Sequence, residues 1–324
     1  MHGTGSGIVQ ERIIDILKAS LGRCGELLED DCLVELMAND DGRVWVERKG
    51  NSRCECTDDV MPVAQRENVI RILAGRMELV CNSASPRLST ILPDTGERFQ
   101  GFVPPIVPAP CFAIRKPAVQ VFTLVDYVRD GIMTPQQADT LRRAVQDRRN
   151  LLIGGGTGTG KTTCANAILA VMAEAGERII TLEDTPELQC SAPNTVRLYT
   201  RAGTVTMQHL VQDTLRMRPD RIILGEVRGV EAVDLLDALS TGHPGGLCTV
   251  HAGSAAGVLP RMEQLVRRAN IPQEVAREML GNAQPVIAYL ERTPTGRVLK
   301  ELVSVEGYAG GAYQFGSLQG REDV

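Results

Sequence analysis

The run "LLIGGGTGTGKTT", residues 151–163, constrains the fold of this chain more than any other stretch. Gly155 is followed after four residues by Gly160, Lys161 and Thr162, which is the spacing of a phosphate-binding loop between a buried strand and a helix. Glycines let backbone N–H groups approach phosphate oxygens, and the helix N-terminus adds positive potential. The pattern predicts that Lys161 contacts the β- and γ-phosphates of a nucleotide and that the Thr162 hydroxyl is a ligand of Mg²⁺. The predicted cofactor-binding set is Gly155, Gly156, Thr157, Gly158, Thr159, Gly160, Lys161, Thr162 and Thr163.

The segments around this loop alternate between strand-like and helix-like patterns. The apolar runs "RIITLED", "RIILGEV" and "GLCTVHA" are short and continuous, which is typical of parallel strands buried on both faces. Strands that alternate with helices indicate an α/β core. The helix that opens this half is predicted to have Thr134 as its cap, Pro135 as its first residue and Gln137 completing a capping box. Residues 285–307 are predicted to form a hairpin at the edge of the sheet.

The first 117 residues have a different pattern. Residues 8–21 have the apolar spacing of an amphipathic helix, and two strands flank a turn at Asp41 and Gly42. A further helix and several strand-like pieces follow. We therefore predict a small α+β domain over 1–117, a larger α/β domain over 118–307, and a flexible glycine-rich tail over 308–324.

Composition limits the class of protein. The 324 residues suffice for two domains, and 43% hydrophobic with 23% charged residues is typical of a globular chain. The net charge of −5 argues against a strongly basic nucleic-acid surface, and 3% aromatic residues argue against single-strand stacking surfaces. Nine irregularly spaced cysteines without a recognisable signal peptide indicate reduced thiols in the cytoplasm. No apolar run approaches the roughly 18 residues of a spanning helix, so any membrane association is expected to be peripheral.

A phosphate-binding loop needs a carboxylate beside its metal ion, and two strand ends offer one. Glu226 ends the run "RIILGE", and Glu183 with Asp184 ends "RIITLED". Because the carboxyl ends of parallel strands meet at one edge of a sheet, both groups are expected beside the phosphates. Two solvated acidic loops are the alternative. The residues alone do not divide the roles between Glu183 and Glu226.

The stretch "TGHPGGLCTVHAGS" holds two of the four histidines, His243 and His251, with Cys248 between them. Zinc needs three or four converging ligands, and only one cysteine lies here, so a metal site is not favoured. His251 ends the strand "LCTVHA" and is expected at the same sheet edge as Glu183 and Glu226. Cys248 is expected in the apolar core, and His243 is expected to shape the turn or to support the site from behind.

Four segments occur in one order along the chain: "GGTGTGKTT", "TLEDTPEL", "RMRPDRIILGEVRG" and "TGHPGGLCTVHAGS". Together they resemble the secretion traffic ATPases, the hexameric motors of type II and type IV secretion and of pilus systems. The resemblance covers most of residues 115–290 and implies a RecA-like P-loop NTPase core with a smaller N-terminal α+β domain. The short N-terminal part and the absence of a paired C-x-x-C module resemble the type IV secretion branch.

The resemblance also implies roles for the residues at the sheet edge. In "LEDTPE", the Asp box of the family, Glu183 would orient the attacking water. Glu226, the Walker B carboxylate, would join Thr162 in holding Mg²⁺. Gly225 stands where many P-loop proteins have an aspartate, which leaves open whether Glu226 is the base instead. His251, in the His box of the family, would sense the γ-phosphate by hydrogen bonding.

Arginine suits the charge that develops on a phosphoryl group during transfer. Arg218 and Arg228 flank the run that contains Glu226, whereas Arg98 in "GERFQGF" and Arg115 in "AIRKP" lie in the N-terminal part. The resemblance implies that Arg98 and Arg115 reach the nucleotide from the N-terminal domain. An ordinary surface position is the alternative for each arginine. The predicted catalytic set is Lys161, Glu183, Glu226, Arg228, His251, Arg115 and Arg98.

These patterns predict an ATPase that uses ATP and Mg²⁺. The resemblance implies a homo-hexameric motor that powers conjugative type IV secretion, in pilus assembly or substrate transfer, from the cytoplasmic face of the inner membrane. Its expected partners are inner-membrane components of the apparatus, and no sequence-specific nucleic-acid binding is expected. A P-loop nucleic-acid motor or binding protein is the alternative. A small-molecule kinase is a third hypothesis, and the sequence lacks the lid-like arginine cluster that such an enzyme would need.

Overall fold

The structure is a computed structural model. It describes residues 19–49, 53–92, 96–116, 122–201, 203–294 and 296–316. The chain divides into two compact units, Met1–Pro117 and Ala118–Val324. Most of the predicted opening helix at residues 8–21 lies outside the described residues.

The N-terminal unit is a six-stranded antiparallel sheet with helices beside it, in the strand order β3-β2-β1-β6-β5-β4. Its strands are β1 Leu33–Ala38, β2 Arg43–Arg48, β3 Glu55–Val60, β4 Arg87–Ile91, β5 Arg98–Phe102 and β6 Cys111–Arg115. Its helices are α1 Arg23–Leu27 and α2 Val63–Arg76. The predicted turn at Asp41 and Gly42 joins β1 to β2, and Gly42 has a φ of +91°. That left-handed conformation favours glycine, which explains the residue at this turn.

One face of this sheet packs into a core and the other does not. Leu36, Val46, Ile114 and Phe99 alternate with less buried neighbours and lie in the same apolar cluster as residues of α2. The alternation follows from the two-residue period of a strand, which turns successive side chains to opposite faces. It confirms the predicted small α+β unit.

The C-terminal unit contains an eight-stranded sheet in the order β14-β13-β12-β7-β11-β10-β8-β9. Its strands are β7 Leu151–Gly155, β8 Ile179–Glu183, β9 Thr195–Tyr199, β10 Arg221–Leu224, β11 Leu247–His251, β12 Val286–Thr293, β13 Gly296–Ala309 and β14 Ala312–Gly316. Its helices are α3 Leu124–Arg129, α4 Pro135–Gln146, α5 Lys161–Ala173, α6 Met207–Thr214, α7 Glu231–Ser240, α8 Val258–Arg267 and α9 Gln273–Ala283. Strands β12, β7, β11, β10, β8 and β9 are parallel, whereas β13 and β14 pair antiparallel at one end.

The continuous apolar runs of the sequence are the central strands of this sheet. Every residue of β7, β8 and β10 is buried, because one apolar cluster covers each face of the sheet. Helix α4 begins as predicted, with Pro135 at its first turn and a capping box between Thr134 and Gln137. These features confirm the predicted α/β core. Within the described residues, no helix is long and apolar enough to span a bilayer.

The expected flexible tail at 308–324 is wrong for residues 308–316. Strand β13 continues to Ala309 and turns into β14, with Tyr308 opposite Tyr313. Gly310 and Gly311 have φ values of +62° and +79°, so these glycines form a tight hairpin turn instead of marking a frayed end. The hairpin is anchored because the Tyr313 hydroxyl donates to Glu263 Oε1 over 2.9 Å. The predicted hairpin over 285–307 is present as β12 and β13, but β14 forms the edge. Residues 317–324 lie outside the described part.

The direction of the parallel strands determines where chemistry can occur. Strands β7, β11, β10 and β8 are neighbours, and their carboxyl ends meet at one edge of the sheet. The chain order reverses around β7, which lies between β11 and β12. Crevices of this kind, at the carboxyl ends beside a change in strand order, are where open α/β sheets bind ligands.

Candidate nucleotide-binding site

The loop between β7 and α5 has the backbone shape that its glycines predict. Gly158 and Gly160 have φ values of +72° and +90°, and Gly160 is the residue before the first turn of α5. A Cβ on Gly155 would lie 2.5 Å from Thr159 Oγ1 and 2.7 Å from the carbonyl oxygen of Leu290, so no side chain fits there. The loop is therefore a close backbone turn at a helix N-terminus, which is the arrangement that binds phosphate.

Lys161 folds back over this loop from the first position of α5. Its Nζ donates to the carbonyl oxygen of Gly156 over 2.8 Å and lies 3.5 Å from His251 Nε2. Burial lowers the pKa of Lys161, and the carboxylate of Glu226 opposes that shift. The ammonium group is thus held at the mouth of the loop, beside the end of β11.

A continuous chain of polar contacts extends from Lys161 along the sheet edge. His251 Nε2 lies 3.4 Å from Glu226 Oε1, and Arg228 Nη2 donates to Glu226 Oε2 over 2.6 Å. Arg228 Nη1 also donates to Asp184 Oδ2 over 3.1 Å. We call Lys161, His251, Glu226, Arg228 and Asp184 the polar chain. It brings together groups from the ends of β7, β11, β10 and β8.

Burial and the charges of the polar chain together shift the pKa of His251. Burial is the largest cause that lowers the pKa of His251, Lys161 lowers it further, and Glu226 acts in the opposite direction. The hydrogen bond to Glu226 raises the pKa of Arg228, which keeps its guanidinium charged. Both neighbours face the same ring nitrogen, so Nε2 of a neutral imidazole either accepts from Lys161 or donates to Glu226, and the tautomer decides which.

Glu183 lies at the same edge but in a different environment. Its side chain is 2% exposed, and its Oε1 accepts from the backbone N–H groups of Glu187 and Leu188 over 2.8 and 2.7 Å. Burial raises the pKa of Glu183 to about 7, although those two N–H groups act to lower it. Its Oε2 has no hydrogen-bond partner among the described residues. Glu183 thus anchors its own loop through one oxygen, and its other oxygen is buried without a partner among the described residues.

The glycine at position 225 has a steric reason. A Cβ there would lie 3.2 Å from Cγ of Glu183 and 3.6 Å from the carbonyl oxygen of Leu182. The side chain of Glu183 therefore passes over Gly225, where a larger residue would crowd it. With any side chain at this position, Glu183 would have to give by a few tenths of an ångström.

Comparison with known proteins identifies the family of this chain. The family described as type II/IV secretion system protein matches residues 24–288. The chain belongs to this family. Conjugal transfer protein TrbB of Rhizobium radiobacter is 43% identical over 306 residues, which is 94% of this chain and 93% of the relative. Type IV secretion system protein VirB11 of Bartonella henselae is 30% identical over 301 residues, 81% of this chain and 84% of the relative.

A solved structure of the pilus retraction motor PilT with bound ADP shares the fold of this family member. It has a TM-score of 0.58, 17% sequence identity, and coverage of 90% of this chain and 81% of that chain. The predicted RecA-like core with a smaller N-terminal domain is confirmed, as is the predicted resemblance to the type IV secretion branch.

The two arginines predicted from the N-terminal part, Arg98 and Arg115, lie on neighbouring strands of the N-terminal sheet. Arg98 on β5 and Arg115 on β6 are register partners, and Arg115 is also opposite Glu35 on β1. Burial raises the pKa of Glu35, and the charges of Arg115 and Arg98 lower it. The sheet thus gathers two cations and a carboxylate in one row. Their contribution to the nucleotide site stays a prediction.

Two other predicted residues lie at the opposite edge of the sheet. Arg218 comes before the N-terminal end of β10, so the strand separates it from Glu226. His243 comes before the N-terminal end of β11, and its N–H closes α7 by donating to Ala238 O over 3.1 Å. This backbone contact places His243 in the turn before β11, at the end of the strand away from the polar chain. Cys248 is buried in β11, as predicted for a core residue.

Sequence reasoning missed an arginine that contacts the P-loop. Arg297, at the start of β13, donates from Nε to the carbonyl oxygen of Gly158 over 3.2 Å. No local motif marks it, since it lies 139 residues further along the chain. The only signal is topological, because the hairpin of β12 and β13 lies next to β7. A separate cavity of about 460 Å³, lined by residues of α8, β12, β13 and β14, includes no residue of the P-loop or the polar chain.

Proposed function

We propose that this protein hydrolyses ATP to ADP and phosphate in a Mg²⁺-dependent reaction and thereby serves a conjugative type IV secretion apparatus. The observation that carries the proposal is the polar chain, which begins at the P-loop lysine and continues through His251 to Glu226. That arrangement would place charge-stabilising groups beside the terminal phosphate of a nucleotide bound at the P-loop. Positioning and electrostatics supply most of the rate enhancement in phosphoryl transfer.

The residues present fit a magnesium ion. Mg²⁺ prefers oxygen ligands and usually takes one or two from protein. Thr162, in the first turn of α5, offers a hydroxyl, and Glu226 is 19% exposed with its carboxylate at the same sheet edge. When bound, the ion would neutralise charge on the β- and γ-phosphates. Lys161 and the loop N–H groups would hold those phosphates, and His251 would contact the γ-phosphate.

The two carboxyl groups receive different roles in this proposal. Glu226 would hold the metal, because it lies next to His251 and Lys161 in the polar chain. Glu183 would orient the attacking water through Oε2, which has no partner among the described residues. A pKa of about 7 suits a group that accepts a proton near neutral pH. Arg228 would balance charge beside Glu226.

The family relationship carries the wider proposal. We infer that Arg98 and Arg115 act as phosphate ligands, that six copies form a ring, and that the ring works as a motor at the cytoplasmic face of the inner membrane with membrane components of the apparatus. Similarity to TrbB over 94% of this chain and to VirB11 over 81% of it supports this inference.

Two measurements on the purified full chain test the proposal. The first is phosphate release from ATP with no added acceptor, with and without Mg²⁺, and we expect release only with the metal. The second is molar mass by light scattering with Mg²⁺ and ATP, for which we expect six chains. Absence of phosphate release would overturn the enzymatic proposal, and a monomer under all conditions would overturn the motor. Tight nucleic-acid binding that falls steeply with salt would favour the alternative function.

A further inference from the structure

The flank of the P-loop opposite the polar chain is basic. Strand β12 lies beside β7 with Leu290 opposite Gly155, so the end of β12 continues past the point where β7 becomes the loop. Arg292 on β12 and Arg297 on β13 are register partners in this continuation. Both side chains are exposed. Two guanidinium groups therefore lie next to the loop on the side where no motif predicted them.

Arg297 holds the backbone of the loop. Besides its hydrogen bond to the carbonyl oxygen of Gly158, its Cδ lies 3.2 Å from the position of a Cβ on Gly160. Both glycines have positive φ, and glycine has more conformational freedom to lose than any other residue. A guanidinium that bridges this turn restricts the freedom of the loop. Arg297 therefore has the contacts of a positioning residue.

Arg292 lies on the same side with its charge available. Its Nη1 lies 3.8 Å from the position of a Cβ on Gly158. Within the part of the chain that the structure describes, the side chain of Arg292 makes no hydrogen bond or ion pair. A guanidinium carries five donors in a planar fork that matches phosphate oxygens. Its chemistry thus fits an anionic group bound at this flank.

The strand order shows which end of a nucleotide this flank faces. The polar chain lies on the side of β11 and β10, where Lys161 meets His251 and Glu226, and the terminal phosphates belong there. Strands β12 and β13 lie on the other side of β7. We call Arg292 and Arg297 the arginine flank. A nucleotide with its terminal phosphate at the polar chain would present its α-phosphate, the phosphate furthest from the terminal one, to this flank.

We propose that Arg292 binds the α-phosphate of a nucleoside di- or triphosphate and that Arg297 positions the P-loop through Gly158. The inference rests on the nucleotide binding proposed above and deepens it by assigning a second cationic contact to the same ligand. Lys161 and Arg292 would then hold opposite ends of the phosphate group from the two flanks of β7.

Calorimetric binding of ADP and GDP to the full chain tests the assignment. We expect Arg292→Ala to weaken both nucleotides by about tenfold and by the same factor, because a charge-assisted hydrogen bond to phosphate is lost and the base is not contacted. Arg292→Lys should recover part of the affinity, since lysine still binds phosphate as a point charge. Arg267→Ala, which removes an exposed arginine from the end of α8, is the matched control and should bind like wild type.

A second readout separates positioning from binding. In the absence of nucleotide, Arg297→Ala should increase the hydrogen exchange of the loop between β7 and α5, and Arg292→Ala should not. Arg297→Lys should not restore protection, because lysine lacks the Nε donor that reaches Gly158. Thermal unfolding confirms that each variant is folded.

Three results would overturn the inference. If Arg292→Ala and Arg297→Ala bound nucleotide with wild-type affinity while Lys161→Ala did not, the two arginines would have no part in binding. The proposed function would be unaffected. A loss confined to ADP would place Arg292 on the base. If the wild-type protein bound neither ADP nor GDP, the proposed function and the inference would both be wrong.

Discussion

The ends of β8 and β10 begin from the same sequence pattern and finish as different environments. Each is an apolar strand followed by a glutamate at the same sheet edge. Glu183 is almost fully buried and is held by two backbone N–H groups of its own loop. Glu226 is part of the polar chain, between His251 and Arg228. The comparison shows that the residue type places a carboxylate at the edge, whereas the loop that follows decides its solvation and its partners.

The largest expected effect is on the β10 side of this comparison. Lys161→Ala removes the ammonium that joins the P-loop to the polar chain. We expect ATP turnover to fall by about 100-fold or more, because this charge acts on the phosphates directly. Phosphate release measures the effect. Lys300→Ala is the control, since Lys300 is a half-exposed lysine paired with Glu291, and it should keep the wild-type rate. If Lys161→Ala and Lys300→Ala released phosphate at the same rate, Lys161 would not act in hydrolysis, and the proposed site would be wrong.

A second prediction addresses the β8 side. Glu183→Gln keeps an oxygen that can accept from the N–H groups of Glu187 and Leu188 but cannot take a proton. We expect it to bind ATP normally and to lose turnover by about 100-fold, within the range seen for general bases. Equilibrium ATP binding and single-turnover hydrolysis measure the two quantities. Normal hydrolysis in Glu183→Gln would show that Glu183 only anchors its loop and would sharpen the difference between the two ends.

A third prediction concerns pH and stability. The pKa of Glu183 is about 7 in the folded chain against 4.5 for an ordinary glutamate, so the folded state keeps a proton that the unfolded state has lost. The contribution of Glu183 to stability is therefore most favourable below about pH 4.5, falls as pH rises towards 7, and is constant above that. With about 1.4 kcal/mol for each pKa unit, the total change is roughly 3 kcal/mol.

Urea unfolding of wild type and Glu183→Gln at pH 5 to 8 tests this linkage. The glutamine variant lacks the titration, so its stability relative to wild type should increase from pH 5 to pH 7 and then level off. A difference that does not change with pH would mean that Glu183 is ordinarily solvated, in contradiction to the buried position at the end of β8.

The smallest expected effect tests the contact between the end of β8, at Glu183, and the end of β10, at Gly225. Gly225→Ala places a methyl group 3.2 Å from Glu183 Cγ, and we expect a loss of about 1–2 kcal/mol in unfolding free energy from the crowding. Gly75→Ala is a control of opposite sign, because a Cβ there meets nothing within 4 Å and alanine favours the helix by about 0.5–1 kcal/mol. If Gly225→Ala were neutral, Glu183 would not be held against the β10 end.

Much of the fold follows from local patterns. The P-loop between β7 and α5, the cap of α4 and the buried parallel strands could be predicted because each depends on residues close together in the chain. The hairpin of β13 and β14 could not, because Gly310 and Gly311 look the same in a tight turn as in a frayed end. A distant contact, between Tyr313 and Glu263, anchors it to the rest of the domain.

The sequence predicted most residues of the candidate site, but it did not predict how buried each one is or which partners it contacts. Strand direction places Lys161, His251 and Glu226 at one edge, so their proximity follows from the pattern. The burial of Glu183 depends on the backbone of residues 184–188, which no spacing rule describes. Arg297 reaches the loop only because β12 and β13 add to the sheet beside β7, and that adjacency is a property of the whole fold.

The most direct test of the central claim is hydrolysis by Glu226→Gln under single-turnover conditions with Mg²⁺ and ATP, compared with Asp184→Asn at the far end of the polar chain. The account predicts that Glu226→Gln loses about 100-fold or more in the hydrolysis rate while Asp184→Asn loses much less, because Glu226 adjoins His251 and Lys161 and Asp184 contacts only Arg228 within the polar chain. Hydrolysis at the wild-type rate in Glu226→Gln would contradict the claim that the polar chain is the site of catalysis.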